Sequence, residues 1–203
     1  MKLLLHFLLI FSYVSSKGQY LVSSNTSLES CNKIDSCITV NNFSFLFYDE
    51  TKNEFFLKVD FSNFRSPDGS ADNWLNSEQD TSFYFRFMFP KENFPVPASE
   101  ERQSFKVNGR IFYHKTWKEQ PIELTVFLPQ KSLMSNTSGI TTSSAENYKV
   151  NFSIPFVPGD FRDNKATIPN KQVVNINVTL GRINLLKPGM ESFLSEVYSQ
   201  PPR

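Results

Sequence analysis

Phe83-Tyr84-Phe85-Arg86-Phe87-Met88-Phe89 puts a phenylalanine at every second position. Successive side chains of a strand point to opposite faces, so these four rings line one face of one strand. A helix would scatter them around its circumference. Five other stretches repeat the pattern. Phe55, Leu57, Val59 and Phe61 share a face against Lys58 and Asp60. Phe105, Val107, Gly109, Ile111 and Tyr113 run through a longer stretch, in which Gly109 is expected to mark a bend or bulge, or to split it into two strands. Ile122, Leu124, Val126 and Leu128 alternate with Glu123, Thr125 and Phe127. Tyr148, Val150, Phe152, Ile154 and Phe156 alternate with Lys149, Asn151 and Ser153. Val174, Ile176, Val178 and Leu180 alternate with Asn175, Asn177 and Thr179. A seventh stretch, Ile38 to Tyr48, is apolar on both faces near its end.

Alternation on this scale predicts an all-β protein, with antiparallel strands that bury one face. About eight strands suit either a closed barrel or a two-sheet sandwich. Helical signals are few, and one or two short helices are expected. Ser70-Ala71-Asp72-Asn73-Trp74-Leu75 follows the turn Ser66-Pro67-Asp68-Gly69, and Pro188 to Tyr198 spaces Phe193, Leu194 and Val197 at helical intervals. Residues 129–147, rich in Ser and Thr, read as a long loop.

The whole chain has 203 residues, with 21 basic against 20 acidic side chains. That balance gives no electrostatic footprint for nucleic acid and no polybasic hold on an anionic membrane. The count of 21 Phe is the unusual figure; such rings favour strands and fill large apolar interiors.

Residues 1–16 read as a secretory signal peptide: Met1-Lys2, the apolar run Leu3 to Val14, and the small pair Ser15-Ser16. A run of about 12 residues is too short to span a bilayer as a helix. Cleavage before Lys17, or after Gly18 to expose Gln19, fits the small residues, so the protein is expected to be exported and soluble, in a periplasm or outside the cell. The mature chain then divides into an N-terminal segment (17–37), a β-domain (38–187) and a C-terminal helix or tail (188–203). Cys31 and Cys37 are the only cysteines. In an oxidising compartment, without histidines nearby, they are expected to form a small disulfide loop rather than a metal site. Five Asn-X-Ser/Thr sequons occur, at Asn25, Asn42, Asn136, Asn151 and Asn177; chance alone gives about three at this composition, so they are weak evidence of glycosylation. Asn151 and Asn177 fall inside strand patterns and are expected to face outward.

No constellation carries catalysis. After leader removal one histidine remains, His114 beside Lys115; with no nucleophile elbow, it reads as a surface turn residue. Asp160 with Asp163, and Glu100 with Glu101, have no spacing that sets them apart from solvated loop charges. No metal ligands, phosphate-binding loop or cofactor motif stand out. The reading is therefore not an enzyme.

The order of pieces resembles the YceI-like family of exported, lipocalin-like barrels that bind polyisoprenoid lipids. Asp72-Asn73-Trp74-Leu75 stands where the family has a short helical Asp-X-X-Leu segment. Gly109-Arg110-Ile111-Phe112-Tyr113 followed by Pro121-Ile122-Glu123-Leu124 matches its strand hairpin, and Phe156-Val157-Pro158-Gly159-Asp160-Phe161 matches its Asp-Phe segment. Val173 to Leu180 looks like its last strand. The similarity covers residues 40–185. It departs at His114 to Gln120, about two residues longer than the family's connection before the Pro, and at Ala71-Asp72, where the family often has Arg-Asp.

The resemblance implies an antiparallel barrel of about eight strands around an apolar ligand of isoprenoid type. The interior would be lined by Phe55, Leu57, Val59, Trp74, Phe83, Phe85, Phe87, Val107, Ile111, Leu124, Val126, Phe152, Ile154, Ile176 and Val178. Trp74, amphipathic and on the short helical segment, reads either as a core plug or as a residue over the barrel mouth. From the residues alone, Phe83, Phe85 and Phe87 serve equally as packed core or as tunnel wall. The alternative function is a secreted β-sandwich interaction or adhesion module with a filled aromatic core. No cofactor beyond a bound isoprenoid lipid is expected, and a homodimer is left open.

Overall fold

In the computed structural model, which describes residues 24–31, 37–64, 82–96, 101–128, 148–161 and 173–186, the period-two stretches become strands. In chain order they are β1 (Ser24–Cys31), β2 (Cys37–Asp49), β3 (Glu54–Asp60), β4 (Ser82–Met88), β5 (Arg102–Tyr113), β6 (Thr116–Phe127), β7 (Lys149–Phe156), β8 (Val173–Arg182) and β9 (Asn184–Leu186). Each of β2 to β8 pairs antiparallel with its sequence neighbour. β1 pairs antiparallel with both β8 and β2, which closes an eight-stranded barrel. Closure removes the exposed edges that a sandwich would keep.

The closing strand comes from the stretch read as preceding the β-domain. Above the start of β1, β9 continues the seam, running parallel to β2 from Phe47↔Asn184 to Asp49↔Leu186. The Asn184 side-chain amide donates to the Leu46 carbonyl at 3.0 Å.

Local chemistry explains the turns. Two residues, His114 and Lys115, join β5 to β6, with φ of 46° and 60°. That is the left-handed pair of a primed hairpin turn, whose twist matches the strands it joins. His114 is thus the expected turn residue. Residues Thr116 to Gln120, expected as an enlarged connection, are strand instead and lengthen the β5–β6 ladder. Asp49 sets the β2–β3 turn: its Oδ1 accepts from the Thr51 and Lys52 N–H groups at 3.0 and 3.1 Å, and its Oδ2 pairs with Lys52 Nζ at 2.8 Å.

Gly109 corrects the sequence reading. The β5–β6 register runs unbroken from Arg102↔Phe127 to Tyr113↔Thr116, so the glycine marks neither a bulge in that ladder nor a break. Its hydrogen makes room for Phe85, whose ring edge from β4 lies where a Cβ would stand. The ladder slips instead between β7 and β8, where Val150↔Gly181 is followed by Phe152↔Val178. There the Asn151 amide oxygen accepts from the Leu180 N–H at 3.2 Å, replacing a lost ladder bond.

Among the described residues the helical pieces are short 3-10 turns, such as Phe61–Asn63 and Lys91–Asn93. The two expected helices, around 70–75 and 188–198, and the 129–147 loop lie outside the described residues.

Candidate functional site

The inward faces meet in one apolar core. Phe55, Leu57 and Val59 from β3, Phe83, Phe85 and Phe87 from β4, Ile111 from β5, Leu124 and Val126 from β6, Phe152 and Ile154 from β7, and Ile176 and Val178 from β8 are all buried in it. Val107 is packed against the same core but only partly covered. Trp74 lies outside the described residues. Sequence reasoning did not assign Leu46, Tyr48, Phe89, Phe94, Phe105 or Tyr148 to the interior, and the structure brings them there. Phe89 and Tyr148 carried the period-two signal; Phe94, between Pro90 and Pro95, belongs to no period.

Rings order the interior into tiers. At one end Phe83 of β4 meets Phe156 of β7 at 5.1 Å between centroids, with Phe61, Tyr113 and Phe161 around them. In the middle Phe87 reaches Phe152 at 5.9 Å, and Phe55 stacks on Phe87 at 4.9 Å. β4 and β7 are three strands apart around the barrel, so these contacts cross its axis. Each well-placed aromatic pair adds about 0.5–1.5 kcal/mol beyond its buried area. These two tiers are packed with side chains.

The third tier differs. The β4–β5 ladder spans only Tyr84↔Phe112 to Phe87↔Gly109, whereas β5 continues upward to Arg102 beside β6. Among the described residues the wall between β4 and β5 is therefore unzipped above Gly109, and the inward side chains Phe105 and Val107 are only partly buried. The segment Phe89–Val96, after β4, crosses this end of the barrel. Its Phe94 ring sits 5.0 Å from Tyr48, 6.0 Å from Phe55 and 4.7 Å from Tyr148. Phe89 meets Phe105 edge-on at 5.1 Å.

Two phenols tie that segment down. The Tyr48 hydroxyl donates to the Phe89 carbonyl at 3.0 Å, and the Tyr148 hydroxyl donates to the Pro95 carbonyl at 2.7 Å. Burial, reinforced by the nearby charges of Glu50, Glu92 and Asp49, pushes the Tyr48 phenol up to about 12, so it remains a donor throughout the neutral range.

The wall carries one polar seam. Ser24 and Thr26 of β1 and Ser44 of β2 are buried on the inward side. Thr26 and Ser44 hydrogen-bond to each other through their hydroxyls, and the Ser24 hydroxyl donates to the Arg182 carbonyl at 2.9 Å. Over the same strands lies an open cleft of about 510 Å³, lined by Asn25, Ser27, Asn41, Asn42, Thr179 and Phe43 among others. Its lining mixes amides and hydroxyls with the Phe43 ring, whereas the third tier is lined by apolar side chains and is taken as the candidate site.

The outer face is aromatic as well. Phe47, Phe56, Tyr84, Phe112 and Trp117 form a ladder across β2 to β6, with successive centroids 5.0–6.5 Å apart. Phe47, Tyr84 and Phe112 are buried although they point away from the core. Cys31 and Cys37 stand directly opposite each other in the β1–β2 register.

No family model and no curated protein matches the chain. A solved structure is similar to it. It is a polyisoprenoid-binding domain from Saccharophagus degradans implicated in plant cell wall breakdown, with 11% identity and a TM-score of 0.47, over 76% of this chain and 91% of that one.

Proposed function

We propose that the protein is an exported carrier that holds one long apolar lipid chain, of isoprenoid type, in its barrel. The observation that carries this reading is the unzipped wall above Gly109. There inward-facing Phe105 and Val107 are packed against the core yet only partly covered, whereas the other described side chains expected to line the interior are buried. Apolar side chains on an interior wall, left open on one side, suit an apolar guest, because covering them contributes roughly 25 cal/mol per Å². The order of motifs shared with the YceI-like family supports the same ligand class, and the leader-like residues 1–16 support export. The packed lower tiers give the barrel its stability, and the guest occupies the open end.

The test is organic extraction of the purified protein followed by mass spectrometry, with titration of the delipidated protein by farnesol. Co-purifying lipid or saturable farnesol binding is expected. A protein that yields no lipid and shows no saturable binding refutes the carrier function.

A further inference from the structure

The strap Phe89–Val96 has a hinge and a latch. On the β2–β3 side, the Phe89 N–H donates to the Asn53 carbonyl at 2.8 Å and the Lys91 N–H to Asn53 Oδ1 at 3.3 Å. The single Tyr48 hydroxyl proton is shared between the Phe89 carbonyl and Asn53 Oδ1, at 3.0 and 3.2 Å, and Lys91 Nζ pairs with Glu50 at 3.4 Å. Asn53 itself sits in the left-handed region at φ 52°, a position Asn tolerates, so the turn presents these groups rigidly. On the β7 side, the Tyr148 hydroxyl holds the Pro95 carbonyl, and the Phe94 ring lies on the Tyr148 ring. Between the two, Pro90 and Pro95 bracket a 3-10 turn closed by Asn93 N–H to Pro90 C=O and Phe94 N–H to Lys91 C=O. Two prolines with fixed φ and a closed turn make the strap move as a unit.

Resting on the carrier reading above, we propose that this strap is the gate of the barrel, swinging on the Asn53 side and released when Tyr148 lets go of Pro95. Breaking a bond from one side-chain hydroxyl disturbs no strand ladder, whereas the hinge contacts are tied to the β2–β3 turn. Lifting Phe94 uncovers Tyr48, Phe55 and Tyr148 at the barrel end, beside the unzipped wall at Phe105 and Val107. An apolar chain reaches the interior there without parting any strand pair.

The test uses N-phenyl-1-naphthylamine, whose emission rises in apolar surroundings, in stopped-flow mixing with the delipidated protein. Tyr148→Phe keeps the ring and removes only the latch hydroxyl. Both closed states, empty and filled, lose the same bond, so association and dissociation should each quicken about threefold to tenfold with little change in Kd. Hydrogen exchange at the Asn93 and Phe94 amides should accelerate alongside, with the β7 amides unchanged. Phe94→Leu, which shrinks the plug and keeps the latch, should also quicken both rates. If the probe binds at unchanged rates in both variants, or strap and β7 amides accelerate together, the gate is overturned and the carrier reading stands. A wild type that yields no lipid and binds no farnesol removes the carrier reading and the gate with it; one that binds farnesol but not the probe overturns the gate, whose opening should admit either.

Discussion

Replacing Gly109 by alanine probes the closest approach in the barrel wall. A Cβ at this position falls on the edge of the Phe85 ring, well inside the roughly 3.5–4.0 Å at which carbon atoms rest, and lies 3.0 Å from the Arg86 carbonyl oxygen. The ring has little room to yield. It is fully buried, with Phe87 at 5.5 Å and Phe152 at 6.4 Å between centroids. Overpacking of this kind costs about 1–3 kcal/mol. Removing a glycine from a strand interior returns roughly 0.5–1 kcal/mol of that through backbone entropy. The net loss is then on the order of 1–2 kcal/mol, which lowers Tm by roughly 2–8 °C for a chain of this size. Urea unfolding followed by circular dichroism gives the free energy, and Gly109→Ala/Phe85→Leu gives the cause. Leucine withdraws the ring edge, so the double variant should be more stable than the sum of the single losses by about 1 kcal/mol. A Gly109→Ala protein as stable as wild type, or single effects that add within about 0.3–0.5 kcal/mol, would show that Phe85 does not require the glycine.

Tryptophan scanning separates the packed tiers from the open one. Leu124→Trp, fully buried and in register with both Phe105 and Phe152, should lose about 1–3 kcal/mol, whereas Val107→Trp should keep the wild-type midpoint and abolish farnesol binding. Equal destabilisation by both, in denaturant titrations, contradicts an open third tier. Burial raises the Asp49 carboxyl, but hydrogen bonds from Lys52 and Thr51 outweigh it and hold the group below its ordinary 3.8. Its contribution to stability is therefore present above pH 3.8 and lost as pH falls through the lower folded value; Asp49→Asn should flatten that acid limb. For Tyr48, raised to about 12 from 10, stability is complete below pH 10 and declines as pH rises through about 12, a slope that Tyr48→Phe should remove. A bond between Cys31 and Cys37 closes so short a loop that its reduction should cost about 2 kcal/mol. Thiol titration of the unfolded, unreduced protein should find no free thiol, and two free thiols would disprove the bond.

The strand content was legible because one buried face imposes period two, and that period is written in side-chain type. Barrel and sandwich, however, share the period. What separates them is the pairing of β1 with both β8 and β2, and β1 carries little apolar pattern. Two of its inward positions are Ser24 and Thr26, whose hydroxyls are satisfied by the Arg182 carbonyl and by Ser44. Hydrogen bonding lets polar residues occupy a core face, and the sequence then reads as a polar segment ahead of the barrel. The outer ladder hid for the opposite reason: Phe47, Tyr84 and Phe112 are buried on the outward face, so apolarity no longer marks which way a residue points. Gly109 misled because a small residue in a strand signals a bulge or a close approach equally well, and only the cross-strand position of the Phe85 ring distinguishes them.

The residues assigned to the gate lie where periodicity stops carrying information. Phe94 belongs to a 3-10 strap between two prolines, and nothing within four residues of it in sequence supplies its ring contacts with Tyr48, Phe55 and Tyr148. A strap residue is chosen by what lies under it, and those partners come from β2, β3 and the residue just before β7, 39 to 54 positions away. Tyr148 shows the same limit from within a strand pattern. Its place in the alternation announces a buried ring, but burial alone would suit phenylalanine. The hydroxyl is accounted for only by the Pro95 carbonyl, 53 positions away. A tyrosine at a phenylalanine-rich inward face is thus a sequence-level sign of a polar partner at the barrel's rim. Tyr48, bonded to the Phe89 carbonyl at the other end of the same strap, follows the same rule.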